Sequence, residues 1–417
     1  YYESFPCVLV NNIRKTMSQI SANFYNNAHK SLHIIGVVGT NGKTTTTHIV
    51  AAILRENKYK TAIIGTLGAD IDGKYVESNL TTPDPIEMHR LFSMAREKKI
   101  THIVMEISAH AIFYNKLYGV KCDYVIFTNI TQDHLDFFGD MKRYVDTKMN
   151  FLNTDNTNIL VVNVDDEYGA ELVKTNKVFT LSYGLKNPSD VFAIDIDNND
   201  GKTSCVVNAF DKIFELSMPL LGEFNVYNTL SAITVAITMG INEEIIIKAL
   251  NNINEVPGRF NILKSDITVI IDYAHTPDGL KNILFAVKKL ANKSIITVFG
   301  CGGNRDKSKR PIMGEISAKH SDLTIITSDN ARMEEPAEII NEIAEGYKKI
   351  SNNYIKVTDR AKAINFAIRI AQSGDIVLIA GKGAENYIDE KGAKRPYSDK
   401  QTAQNAIRRF RSDKVDN

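Results

Sequence analysis

A rhythm constrains the fold more than any single residue. Short apolar runs rich in β-branched residues recur, and each ends in a loop of Gly, Asp, Asn or Arg before a helical stretch. HIIGVV (33–38) is followed by KTTTTHIVAAILREN (43–57), and HIVMEI (102–107), DYVIFTN (123–129) and NILVVNVDD (158–166) continue the series. Strands alternating with helices need crossover connections, so they lie mostly parallel in one sheet with helices on both faces. The loops at their carboxyl ends collect along one edge, where such folds bind ligands.

Further on, KVFTLSY, DVFAIDI, TSCVVNA and KIFELSM read as short strands between polar turns, an antiparallel extension over 176–217. GEFNVYNTLSAITVAITMG (222–240) is a helix with glycine at both ends, and a second helix over 242–252 leads into NEVPGRF (254–260). Pro257-Gly258 is strong punctuation and suits a hinge. The βα rhythm then restarts with ITVIIDYAH, KSIITVFGCGGN, DLTIITSDN and DIVLIAGKG. A chain of 417 residues exceeds one core. The expected division is a lead-in or remnant over 1–31, a central P-loop unit with a mostly parallel sheet over 32–255, and a C-terminal Rossmann-like α/β unit over 256–417. The stretch 10–27 can form one amphipathic helix but cannot bury a core alone.

Lys+Arg numbers 50 and Asp+Glu 49, a net charge of +1 that gives no electrostatic case for nucleic acid or an anionic membrane. No window is apolar enough to span a membrane, and the N-terminus has no secretory pattern. The four cysteines form no CxxC pair, so neither a zinc knuckle nor a disulfide framework is suggested and a reducing cytoplasm is expected.

Gly39-Thr40-Asn41-Gly42-Lys43-Thr44-Thr45 lies between a strand and a helix, the context that marks a phosphate-binding loop. Backbone N–H groups and the helix N-terminus would hold phosphates, Lys43 would offset their charge, and Thr44 would offer a hydroxyl to Mg²⁺. The usual first glycine is Val37 here. Glu106 ends one strand, and His134 follows another, so both should face the same edge and could hold a second Mg²⁺. Each alone also reads as an ordinary strand-end carboxylate or a turn histidine. Lys148 is, on pattern, a solvated helical lysine. Asn225 and Asn228 suit either helix capping or base recognition. Arg259, Asp272, His275, Arg305, Asn330, Arg332 and Glu385 sit at strand ends or hinge loops of the second half, where guanidinium forks suit carboxylates or phosphates.

GVVGTNGKTTT, TTPD (81–84), MEISAH (105–110), FTNITQDHLD (127–136), GEFNVYN (222–228), VPGRF (256–260), DYAHTPD (272–278), VFGCGGNRDKSKRP (298–311), TSDNARMEEP (327–336) and GKGAENY (381–387) occur in that order. Together, from about residue 5 onward, they resemble the Mur ligases, most of all the MurE branch. That family tolerates a residue other than glycine at Val37. The resemblance implies a ligase that phosphorylates the terminal carboxylate of UDP-MurNAc-L-Ala-D-Glu with ATP. The amine of a diamino acid then attacks the acyl phosphate. It implies phosphate and Mg²⁺ roles for Lys43 and Thr44, and a metal pair in Glu106 and His134. Lys148 would be carbamylated by CO₂ to support the second Mg²⁺. Asn225 and Asn228 would lie beside adenine, with Arg259, Asp272 and His275 on the ATP side. Thr81, Thr82, Ser108 and Lys116 would meet the UDP-muramoyl substrate. Arg305, Asn330, Arg332, Gly381 and Glu385 would hold meso-diaminopimelate, Arg332 meeting its second carboxylate. A cytoplasmic monomer is implied.

Ala331 stands where that family commonly has proline, Ala384 where it has histidine, and Tyr114 and Lys116 where it has Gln and Arg. Most of the family's N-terminal UDP-gripping unit is not represented. Alternatives are therefore a Mur-like ligase for a different carboxylate acceptor, a folylpolyglutamate-synthase relative, which DNAR and GCGGNRDK disfavour, and an inactive Mur-fold binding protein.

Overall fold

A computed structural model describes residues 7–411 except Asn79 and Asp200. Its first half contains β1 (His33–Val38), β2 (Thr61–Gly65), β3 (Gly68–Ile71), β4 (Lys74–Val76), β5 (His102–Ile107), β6 (Cys122–Phe127) and β7 (Thr157–Asn163). β8 (Phe179–Gly184), β9 (Val191–Asn199), β10 (Lys202–Ala209) and β11 (Lys212–Met218) follow. All join one 11-stranded sheet in the order β11-β10-β9-β8-β7-β6-β1-β5-β2-β3-β4. β1 pairs in parallel with β5 and β6, and β6 with β7, as the alternation with helices requires. The extension over 176–217 is only partly antiparallel. β8 continues the parallel run beside β7, β9 meets β8 in parallel over two residue pairs, and only β10 and β11 turn back.

The central strands are buried on both faces. One face packs on the helices Pro85–Glu97 and Met141–Phe151, the other on Lys43–Glu56 and Glu223–Thr238. The amphipathic stretch forms the helix Ile13–Phe24, whose Ser18, Ser21 and Ala22 face inward while Ile13, Ile20 and Phe24 stay exposed. It lies against the helix Pro85–Glu97.

The second half builds a six-stranded sheet from β12 (Asn261–Lys264), β13 (Thr268–Asp272), β14 (Ile295–Phe299), β15 (Leu323–Ile326), β16 (Tyr354–Lys356) and β17 (Ile376–Ala380). The order is β12-β13-β17-β14-β15-β16, with only β12 antiparallel. A hairpin of β18 (Tyr387–Glu390) and β19 (Ala393–Pro396) follows. Between the halves, Gly258 adopts φ +69°, and a Cβ there would lie 2.0 Å from the Ala384 nitrogen. The hinge is thus seated on the loop after β17.

Candidate functional site

Val37 is fully buried, paired with Glu106 and Ile126 inside the sheet, because β1 continues to Val38 before the chain turns. Gly39 and Gly42 then make the turn. A Cβ on Gly39 would lie 1.9 Å from Thr128 Oγ1, and one on Gly42, at φ +88°, 2.5 Å from Asn228 Oδ1. The Asn41 N–H donates to Asn129 Oδ1 (2.9 Å), and Thr128 Oγ1 donates to the Asn41 carbonyl (2.7 Å), so the loop is braced from β6. Among the described residues the Lys43 ammonium bonds only the carbonyls of Gly39 and Thr40, both at 2.9 Å. Burial lowers its pKa, against the pull of Glu106 and Asp133. Thr44 Oγ1 donates to Glu106 Oε1 (3.0 Å) and accepts from Arg259 Nη2 (2.8 Å), a contact that ties the second half to the loop. Glu106 also receives the Thr66 N–H and hydroxyl, and Thr66 Oγ1 lies 3.0 Å from Thr81 Oγ1.

A cavity of about 740 Å³ opens here. Thr40, Asn41, Gly42, Lys43, Thr44 and Thr45 form part of its wall, with Thr81, Glu106, Ser108, His134, Asn228, Arg259, Asp272 and His275. Arg259 lies over the Tyr273 ring at 4.1 Å. Asp272 accepts the N–H groups of Phe260 (2.8 Å) and Ala274 (2.7 Å), which fixes the backbone on both sides of the hinge strand. Burial raises its pKa. Neither asparagine caps the helix. Asn225 Nδ2 donates to the Leu221 carbonyl and its Oδ1 accepts from the Asn228 side chain rather than from a backbone N–H, while Asn228 accepts from Thr46. Asn225 therefore stands behind the wall that Asn228 forms.

His134 sits at φ +56° with Nε2 3.3 Å from Asp133 Oδ2; burial pushes its pKa down to about 3, leaving a neutral ring. Asp133 is more than a flanking acid. His275 Nε2 (3.8 Å) and Lys309 Nζ (3.6 Å) reach it from the second half. Burial alone would raise its carboxyl, but His275 and Lys309 hold it well below the usual carboxylate range. Gln132 bonds Asp306 and Ser308, and Asn41 bonds Asp278, across the same junction.

Lys148 is not solvated at all. It is fully buried, its Nζ 2.6 Å from Tyr144 Oη and 3.1 Å from Thr40 Oγ1, with no carboxylate in ion-pair range among the described residues. Burial, then the charge of Lys43, push its pKa well down. On the other flank Thr82 Oγ1 bonds the Glu106 carbonyl and Ser108, while Lys116 is spent on Asp84 Oδ1 (2.9 Å) and the Thr82 carbonyl (3.3 Å).

A second cluster forms at the ends of β15 and β17. Asn330 Nδ2 donates to Glu385 Oε2 (2.9 Å), and Gly381, at φ +118°, makes room for Asp329. Among the described residues the Arg332 guanidinium bonds only the carbonyls of Gly303 (2.8 Å) and Asn330 (3.4 Å). Arg305 turns away from them, 4.0 Å from Asp136 of the first half. Tyr144, Thr66, Lys309 and Lys382 escaped sequence reasoning, and Asp133 reads in the sequence only as flanking the Glu106 and His134 pair. Lys382 sits inside the quoted GKG and was within reach; the others are partners brought in by folding. Among the described residues no group of three or more His, Cys, Asp or Glu could hold a metal, and no helix is long and apolar enough to cross a membrane.

The family model described as Mur ligase middle domain matches residues 37–236, and that described as Mur ligase, glutamate ligase domain matches 258–383. A UDP-N-acetylmuramoyl-L-alanyl-D-glutamate--2,6-diaminopimelate ligase of Syntrophomonas wolfei is 41% identical over 401 residues, covering 95% of this chain and 82% of that one. Its namesake in Aquifex aeolicus is 41% identical, covering 96% and 83%. A solved structure of that name is 29% identical with a TM-score of 0.66, covering 96% of this chain and 84% of the other. Mycobacterium tuberculosis folylpolyglutamate synthase superposes at TM-score 0.74, covering 88% and 92%, but at 16% identity it shares the fold alone.

Proposed function

This chain belongs to the Mur ligase family, and on that premise we propose that it joins a diamino acid to the terminal carboxylate of UDP-MurNAc-L-Ala-D-Glu in an ATP-dependent, ADP-forming reaction of peptidoglycan precursor synthesis. Meso-diaminopimelate is the expected amine. The observation that carries this reading is the cavity where Lys43 and Arg259 face a glycine loop with no carboxylate bonded to either among the described residues. Such a wall suits polyphosphate.

A carboxylate is a poor electrophile because hydroxide is a poor leaving group. Its oxygen attacks the γ-phosphorus, the bond to the β-phosphate oxygen breaks, and ADP departs. The amine then attacks the acyl carbon, inorganic phosphate leaves, and the amine sheds a proton. Two anions must meet in the first step, so Lys43 and Arg259 offset their repulsion. Asn228, with Asn225 behind it, and Asp272 and His275 line the nucleoside side; Thr81, Thr82 and Ser108 border the acceptor. Arg332 offers a guanidinium, without an acid partner among the described residues, to the distal carboxylate, and Glu385 offers an acceptor to the distal ammonium.

Thr44, Glu106 and the neutral His134 fit Mg²⁺ by donor type, since hydroxyl, carboxylate and unprotonated imidazole all present lone pairs. Bound there, Mg²⁺ would supply charge neutralisation at the phosphates. Lys148 fits carbamylation because burial and the charge of Lys43 lower its pKa, which favours the neutral amine that is nucleophilic toward CO₂. Carbon–nitrogen bond formation with loss of one proton gives an anion that Tyr144 and Thr40 hydroxyls can meet. The same reading makes the protein a cytoplasmic monomer, one chain carrying both halves of the site.

Phosphate release measured with ATP across UDP-muramoyl acceptors and amino acids tests the proposal. Turnover is expected with UDP-MurNAc-L-Ala-D-Glu plus meso-diaminopimelate, and weaker turnover with lysine. Engagement of Lys116 by Asp84 favours including other carboxylate acceptors, and turnover with those alone would redirect the assignment. No dependence on either substrate would sink it.

A further inference from the structure

We propose that Lys382 is a positioning residue for the incoming amino acid, orienting Asn330 and Glu385 so that one Glu385 oxygen is kept for a substrate ammonium. This rests on the ligase reading above. Lys382 follows β17 and is fully buried. Its Nζ lies 3.0 Å from Asn330 Oδ1, 2.9 Å from Glu385 Oε2 and 3.5 Å from Asp329 Oδ1.

These contacts decide which way the Asn330 carboxamide points. Its oxygen accepts from the Lys382 ammonium and from the Asp389 N–H (3.0 Å). Reversed, an NH₂ would face two donors, so the amide nitrogen must turn to Glu385. Glu385 Oε2 then holds both Asn330 and Lys382, and Oε1 takes no hydrogen bond among the described residues. Its side chain is 24% exposed, so that oxygen is reachable.

Charge points the same way. Asp329 and Glu385 bring two carboxylates to one ammonium, Lys382, while the nearby Arg360 is bound to Asp399. Among Asp329, Glu385 and Lys382 one negative charge is left over. Asn330 links it to Arg332, whose guanidinium meets only carbonyls among the described residues. An acceptor joined through one residue to a free guanidinium complements an ammonium beside a carboxylate, the head group of an α-amino acid.

The test uses the full chain and initial rates of phosphate release. Lys382→Met is expected to raise KM for meso-diaminopimelate at least tenfold, with KM for ATP and for the UDP-dipeptide within twofold. In a Glu385→Gln background the same change should add less than twofold, because Lys382 acts through Glu385. Asn330→Asp, nearly isosteric, should raise the same KM by placing an anion against Glu385, and it covers the case in which Lys382→Met fails to fold. An unchanged amino-acid KM in Asn330→Asp, equal losses toward all three substrates, or additivity with Glu385→Gln would overturn the proposal. Absence of amino-acid-dependent turnover in the unaltered protein would instead overturn the ligase reading.

Discussion

Lys148 and Lys382 are both fully buried, one beside the phosphate loop of the large sheet and one at the end of the small sheet. Lys148 touches a phenol and a threonine hydroxyl; Lys382 touches two carboxylates and an amide oxygen. A buried ammonium without an anion is costly, so burial pushes the Lys148 pKa well down, whereas Lys382 is held among carboxylates. The first is prepared to change its chemistry, the second to hold its neighbours in place. Burial alone does not tell a reactive lysine from a structural one; the identity of its neighbours does.

The sharpest attack on this contrast is Lys148→Ala, expected to lower kcat by about 10³-fold if the lysine supports phosphoryl transfer. Unaltered protein in CO₂-free buffer should lose rate and regain it with bicarbonate, while the variant responds to neither. An unresponsive unaltered enzyme would erase the distinction between the two lysines. Arg332→Ala comes next. It should raise the KM for meso-diaminopimelate roughly 10–100-fold and leave that for ATP alone, the loss of one bidentate partner. An equal rise for lysine would show that Arg332 does not read the second carboxylate. Gly258→Ala should follow, since its Cβ would press on the Ala384 nitrogen. We expect the ratio of ADP released to amide formed to rise several-fold, read by assaying both products.

The smallest effect expected is a control remote from both lysines. His89 is buried with neither ring nitrogen bonded, next to His29 at 5.2 Å, and burial puts its pKa at about 4. Its folded pKa lies below the unfolded value of about 6.5, so the unfolded state takes up a proton first as the pH falls. Its stability contribution is complete above pH ~6.5 and declines toward pH 4. His89→Leu should flatten urea-derived stability over that window by roughly 1–2 kcal/mol. An identical slope in both proteins would place the proton uptake elsewhere.

The sequence made the sheets readable because β-branched runs carry local information. It also led to the loop around Lys43, whose glycines and lysine are adjacent, and Val37 is explained by a strand that runs two residues further than the usual pattern. β8 was misread because strand direction depends on which neighbour is met, not on composition. Lys148 looked solvated since nothing in YVDTKMNFL shows that Thr40 will lie against it. Asp133 gains its meaning from Lys309 and His275, far away in the chain. Charge pairing over such separations has no local signature.

The seating of Gly258 on Gly383 and Ala384 sets the hinge directly against the loop bearing Glu385. An activated carboxyl is perishable in water. If swinging the second half against Thr44 also swings Glu385 into place, activation and delivery share a single stroke, and the reagent never waits for its amine. The absent side chain at Gly258 would then serve as a timing device, protecting the intermediate by synchrony as well as by enclosure.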